Sequence, residues 1–116
     1  MANTFLNKLS RNVTTKTTVG SYVVGASTQC IVVGLRITNV TADVIKVSAA
    51  LNDGTNDHYL VGGATNSTMG ANVPVGGSLV VINGDADKVV LNTGHSINVT
   101  ASAAADVIMS VLEVTP

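Results

Sequence analysis

The sequence predicts an all-β protein, an antiparallel β-sandwich of about eight strands with a jelly-roll or immunoglobulin-like arrangement. Short segments rich in Val, Ile and Thr recur along the 116 residues, and turns rich in Gly, Asn and Asp separate them. No long segment shows the apolar periodicity of a helix. This length fits one domain, which we place at residues 17–116, after an extended N-terminal arm at residues 1–16.

The predicted strands are, in chain order, residues 19–24, 28–40, 43–51, 58–61, 78–82, 88–91, 96–101 and 107–114. Alternation along the longest strand places Ile31, Val33, Leu35 and Ile37 on one inward face. Ile45, Val47, Ala49, Leu51, Ile97 and Val99 are predicted to join them. Asp53-Gly54 marks a hairpin turn, because these residues tolerate the positive φ that such turns need. Residues 62–77 are predicted to form a long loop between glycine pairs.

The first sixteen residues are basic and contain the only Phe of the chain. Four Lys and Arg residues and no acid precede Asp43, which gives this part +4; seven acids and two lysines follow, which gives −5 and a net charge of −1. We expect the arm to dock on another subunit, with Phe5 and Leu9 inserted and Lys8 and Arg11 facing acidic groups. Backbone pairing to a strand edge of that subunit would accompany these contacts.

Two predicted strands, 78–82 and 107–114, are apolar on both faces, although a strand with one wet face should alternate. Hydrophobic residues make up 46% of the chain and charged residues only 11%. This charged fraction is low for a free monomer. The sequence therefore predicts a homo-oligomer, with a trimer favoured. Its predicted subunit contacts on these strands are Val80, Ile82, Val107, Met109 and Val111.

No sequence motif for catalysis is present, and the protein is predicted not to be an enzyme. His58 or His95 could be combined with Asp53 or Asp57 and a serine into a hydrolytic triad, but these residue types occur in nearly every protein. Cys30 is the only cysteine. A disulfide within the chain and a zinc site of paired cysteines are therefore excluded, and we expect Cys30 to be a small buried hydrophobe.

Acidic residues in turns are the only candidates for a metal site. Asp53, Asp57 and His58 could hold a cation, but their spacing does not match a calcium loop, and Asp is an ordinary turn residue. Asp85 and Asp87 are likewise expected to be turn residues rather than metal ligands. No cofactor and no metal are predicted.

The few aromatic residues limit the binding functions that the sequence supports. Single-stranded nucleic acid needs aromatic platforms beside basic residues, and Tyr22 and Tyr59 have no basic cluster next to them. A carbohydrate-binding adhesin would also depend on these two tyrosines. No segment has the length of a transmembrane helix, and the N-terminus lacks the apolar stretch of a signal peptide. Nucleic-acid and membrane partners are therefore not expected.

Several stretches together resemble the small virion structural proteins of tailed bacteriophages, notably those of marine and cyanobacterial hosts. They are the start Met-Ala-Asn-Thr-Phe, residues 31–41 (IVVGLRITNVT), 59–61 (YLV), 73–81 (VPVGGSLVV) and 107–114 (VIMSVLEV). The similarity covers most of the chain from about residue 19. It implies a β-sandwich subunit present in many copies on a virion, as a head decoration or cement protein beside the major capsid protein, or as a neck or tail component.

Overall fold

The computed structural model describes residues 2–84 and 88–115, which form two antiparallel five-stranded sheets packed as a sandwich. The predicted fold class is thus confirmed. The strands are β1 (Ala2–Val13), β2 (Thr17–Val23), β3 (Gln29–Asn39), β4 (Ile45–Asn52), β5 (Asp57–Val61), β6 (Ala71–Val73), β7 (Ser78–Asn83), β8 (Val89–Leu91), β9 (Ser96–Ala101) and β10 (Ala105–Thr115). One helical turn, α1 (Asn66–Met69), precedes β6.

In each sheet, two short strands pair one after the other with the same side of a longer strand. Sheet 1 has the order β1-β10-β3, and both β7 and β8 pair with the far side of β3. Sheet 2 has the order β2-β9-β4, and both β5 and β6 pair with the far side of β4. The first and last strands in sequence, β1 and β10, are neighbours in sheet 1, where Ala2 lies opposite Thr115.

Aliphatic side chains fill the space between the sheets. The largest fully buried ones are Leu35, Ile37, Ile45, Ile82, Leu91, Ile97 and Met109. Ile45, Val47, Ala49, Ile97 and Val99 are buried as predicted, while Leu51 is half-buried. Tyr22 is the one aromatic residue of this core in the described part of the chain. Cys30 is also fully buried, as expected of a small hydrophobe.

The N-terminal segment corrects the predicted division between arm and domain. Residues 2–13 are strand β1 and pair with β10 of the same chain over ten register positions. The segment alternates well enough to join a sheet, because Leu6 and Lys8 turn inward while Phe5 and Leu9 turn outward. Its high polarity, which indicated an arm, comes from its position at a sheet edge. The described part of the chain therefore has ten strands rather than about eight.

A β-bulge in β3 changes which of its residues face the core. Leu35 and Ile37 are buried as predicted, but Ile31 and Val33 are not. Ser110 of β10 lies opposite Gly34 and Val111 lies opposite Val32, so Val33 is the extra residue. A bulge inserts one residue and thereby shifts the alternation that precedes it. Cys30 and Val32 consequently occupy the core in place of their neighbours.

The predicted long loop at residues 62–77 contains α1 and the short strand β6, which pairs with β4. It packs closely on β4 near Ser48. Gly62 has φ +75°, and a Cβ atom built on it would lie 2.3 Å from Ser48 Oγ. A side chain at residue 62 would be strained at this φ and would collide with Ser48, so glycine is favoured here.

Candidate functional site

The outward surface of sheet 1, here called the outer face, carries several exposed large hydrophobic side chains arranged in two rows. Its first apolar row crosses the sheet from β1 to β8. Phe5 pairs with Leu112, Leu112 with Ile31, and Ile31 with Val90. The two ends of the row are well exposed, with Phe5 at 76% and Val90 at 54%.

A second apolar row lies four residues further along β1 and β10, which is about 14 Å away. Here Leu9 pairs with Ile108, Ile108 with Arg36, and Arg36 with Val80. Leu9, Ile108 and Val80 are each about half exposed. Two rows with exposed apolar side chains on one face of a sheet are more than the scattered exposure found on ordinary protein surfaces.

A row of small and polar residues separates the two apolar rows and forms a depression. Asn7, Ser110, Gly34 and Asn83 follow one another across the sheet. The depression, about 240 Å³, has Gly34 and Ser110 in its lining, with Val80 and Ile108 at its sides. A second groove, about 490 Å³, lies between Leu9 and Ile108 at the β1 side. Ile108 therefore belongs to both.

The structure divides the predicted contact residues between this surface and the core. Phe5, Leu9, Arg11 and Val80 are exposed and belong to the outer face or its edge. By contrast, four predicted contacts point between the sheets and are at most 2% exposed: Ile82, Val107, Met109 and Val111. The prediction that these four contact a partner subunit is wrong.

Ile82 is buried although Val80 is exposed. These two residues of β7 pair with the adjacent residues Leu35 and Arg36, so that Val81 is an extra residue.

Val107, Met109 and Val111 lie on the inward face of β10. Both faces of this strand are apolar, and the sequence alone does not show which of them the second sheet covers. Two exposed apolar residues of the outer face were missed, Val90 on β8 and Ile108 on β10; Ile108 lies between two core residues and is 49% exposed. Its place on the outer face follows from its register opposite the polar Arg36, since cross-strand partners share a face, and this register is known only from the structure.

Lys8, the last predicted contact, belongs to a polar cluster at the β1 edge of the sandwich. Its ammonium group lies 4.5 Å from the ring centroid of Tyr22, a distance at which a cation is attracted to an aromatic face. The Tyr22 hydroxyl donates a 2.5 Å hydrogen bond to Glu113 Oε2. Burial, and then this hydrogen bond, raise the pKa of Tyr22 well above its usual value. Burial also raises the pKa of the adjacent Cys30 thiol. The cluster joins the two sheets, and its side chains are engaged with one another.

The outward surface of sheet 2 is polar and internally hydrogen-bonded. Asp57 accepts hydrogen bonds from Asn52 at 2.8 Å and from Asn98 at 3.4 Å, and it forms an ion pair with Lys16. The Lys16 hydrogen bond is the largest cause that lowers the pKa of Asp57, and Asp57 in turn raises the pKa of Lys16. Thr18 completes the network by donating to Asn98 at 2.8 Å. The polar groups of this surface bind one another.

The residues considered for hydrolysis lie in turns or at the start of β5, and Asp53, His58 and His95 stabilise the turns beside them. His58 Nε2 lies 2.9 Å from Asp53 Oδ2, while Asp53 Oδ1 accepts the backbone N–H groups of Thr55 and Asn56. These bonds, led by the one from Asn56, hold the pKa of Asp53 far below its usual range. His95 lies in another turn, where its Nδ1 accepts the backbone N–H of Asn92.

The cation site considered from the sequence is not assembled. Asp57 turns to Lys16 while Asp53 turns to His58. Within residues 2–84 and 88–115, no three His, Cys, Asp or Glu side chains are grouped so that they could hold a metal ion. Asp85 and Asp87 lie outside the described residues.

Comparison with known proteins adds no relative. No protein-family model matches the sequence, and neither a curated protein nor a solved structure matches it. In the described part of the chain, no helix has the length and apolar character needed to cross a membrane. Tyr22 is 9% exposed, so of the two tyrosines considered for sugar stacking only Tyr59, 43% exposed, is at the surface.

Proposed function

We propose that this chain is a non-enzymatic structural subunit of a tailed-bacteriophage virion, a head decoration protein that reinforces the capsid lattice as a homo-oligomer. The observation that carries the proposal is the outer face, on which five large apolar side chains are exposed: Phe5, Leu9, Val80, Val90 and Ile108. A surface of this kind on a small domain is typical of a protein-binding site. The resemblance of the sequence to phage virion proteins supplies the class of assembly.

The energetics of this face suit a lattice of many copies. Fully burying one such side chain contributes about 1.5–3 kcal/mol, so side chains that are half exposed contribute about 1 kcal/mol each. The five together give about 5 kcal/mol, which is less than the roughly 8 kcal/mol of a micromolar complex. Linked contacts on a repeating surface raise the effective concentration and make such weak contacts add up. A subunit held to neighbours and to the shell would therefore be retained, although each contact is weak.

The test is to locate the protein in intact virions of the phage that encodes it. Cryo-electron microscopy of these particles should show β-sandwich density on the head shell, with the outer face against protein. Density at the neck or tail would support the related role as a neck or tail component and would overturn head decoration. Purified virions without the protein, checked by mass spectrometry, would overturn a virion role altogether.

A further inference from the structure

We propose that the outer face packs against the same face of a second copy of this chain, as a two-fold dimer. The inference rests on the proposed function only in using the same surface, since it names the partner that covers it. It replaces the trimer expected from the sequence, because a surface that packs on itself closes with two subunits.

The size of the outer face matches what a stable pair needs. The face is four strands wide, counting β1, β10, β3 and the edge shared by β7 and β8. With about 4.8 Å between strands and about 3.4 Å per residue, nine residues of each strand give roughly 600 Å² in projection. Standard interfaces bury about 800 Å² of accessible surface per partner. Protruding side chains add to the projected area, so this face alone reaches the required order of size.

The relief of the face is self-complementary. Phe5 protrudes from one corner with 76% of its surface exposed, and the depression lies at Gly34 near the centre. A Cβ atom built on Gly34 would meet only Ser110, at 4.0 Å, so the depression is open to a side chain from outside. An isologous pair uses each feature twice, since Phe5 of each copy meets the depression of the other.

The charges of the face also favour a copy of itself. The outer face carries Arg36 on β3 and Asp106 on the neighbouring strand β10. Arg11 lies at the β1 edge of the same face. Among the described residues, the ion pairs do not include either arginine. Because both signs are present on one nearly neutral surface, a two-fold pair can bring Arg36 of each copy toward Asp106 of the other. A strongly acidic partner such as nucleic acid would select a face with more arginine and lysine.

The experiment measures the mass of the purified full chain by sedimentation velocity between about 1 and 100 µM. This range lies around a roughly micromolar affinity, because a two-fold pair buries the apolar side chains of both copies and so doubles what the face of one copy contributes. Ile108→Lys places an ammonium group where both grooves meet and should raise the dimer dissociation constant about 100-fold or more. Gly34→Leu fills the depression without adding charge and should also give a monomer. Val44→Lys is the matched control, because Val44 is 59% exposed in the turn before β4, off the outer face, and should leave the dimer intact. Circular dichroism checks that each variant is folded.

The outcomes separate this inference from the proposed function. A dimer that both face variants dissociate supports the inference, whether or not virions contain the protein. A wild-type monomer at 100 µM (about a hundredfold above a micromolar constant), a trimer, or a dimer that neither variant affects would overturn it. Binding of purified protein to virions of the encoding phage is measured in parallel. Failure of that binding counts against the virion role alone.

Discussion

Replacing Tyr22 by Phe removes a single oxygen atom from the junction between the two sheets. Tyr22 is 9% exposed, and its hydroxyl donates to the Glu113 carboxylate at 2.5 Å. A hydrogen bond to a charged group contributes about 1.5–3 kcal/mol. Glu113 is half-buried, so water can replace part of the lost contact, and we expect the lower end of that range, about 1.5 kcal/mol. For a chain of this size the melting temperature should fall by roughly 5–8 °C.

Urea unfolding at pH 7, followed by circular dichroism, measures this cost. The midpoint should shift while the slope m stays constant, because the exposed surface of the unfolded chain does not change. Tyr59→Phe is the control: this ring is 43% exposed, and a surface change of this kind should cost less than about 0.5 kcal/mol. If Tyr22→Phe costs no more than the control, the cluster does not join the sheets energetically.

The same variant has a signature at high pH. Burial raises the pKa of Tyr22 in the folded chain, while an unfolded tyrosine titrates near 10. The contribution of Tyr22 is therefore complete below about pH 10 and is lost as the pH rises above it, by about 1.4 kcal/mol per unit. The stability difference between wild type and Tyr22→Phe should be constant from pH 7 to 9 and vanish near pH 11, about one unit above the unfolded pKa. A difference that persists unchanged above pH 11 would contradict the proposed origin of the shift.

Three further changes test other parts of the fold. Val111→Lys places an unpaired ammonium group in the core, where the side chain is 0% exposed, and should abolish cooperative unfolding rather than only assembly, as seen by circular dichroism. Asp57→Asn removes a carboxylate whose pKa is lowered by Lys16. The stabilisation from this ion pair is present above about pH 4 and is lost below it, so the melting temperature of the variant should fall less than that of the wild type between pH 5 and 2. Gly62→Ala should lower stability by about 1–3 kcal/mol because of its positive φ and the contact with Ser48, whereas Gly76→Ala, with a positive φ but open space, should cost less in the same urea assay.

The sandwich could be predicted because its signals are local. Val, Ile and Thr segments, alternation along residues 43–51 and the Asp53-Gly54 turn each specify strands without knowledge of their partners. The unpredicted parts depend on pairing. Val33 became a bulge through the register of β10 against β3, and β1 was missed because a polar edge strand differs little from a loose tail in sequence.

The candidate site shows the same limit more sharply. The sequence identified Phe5, Leu9 and Val80 as apolar residues to be covered, and the structure leaves all three exposed. It could not separate Ile108 from Met109, because both faces of that strand are apolar and only the position of sheet 2 decides which of them stays open. Assigning a side chain to the wrong face of a strand therefore exchanges a core position for a surface position.

The ladder between β1 and β10 gives the molecule one more practical property. Ala2 and Thr115 are directly opposite one another, so peptides joined at these two positions would leave from the same tip of the sandwich. A short linker between these positions would allow a circular permutant, with new ends opened at the Asp53-Gly54 turn, because surface turns tolerate such cuts. A displayed cargo would then be moved to a different site on the subunit without altering a single strand pairing.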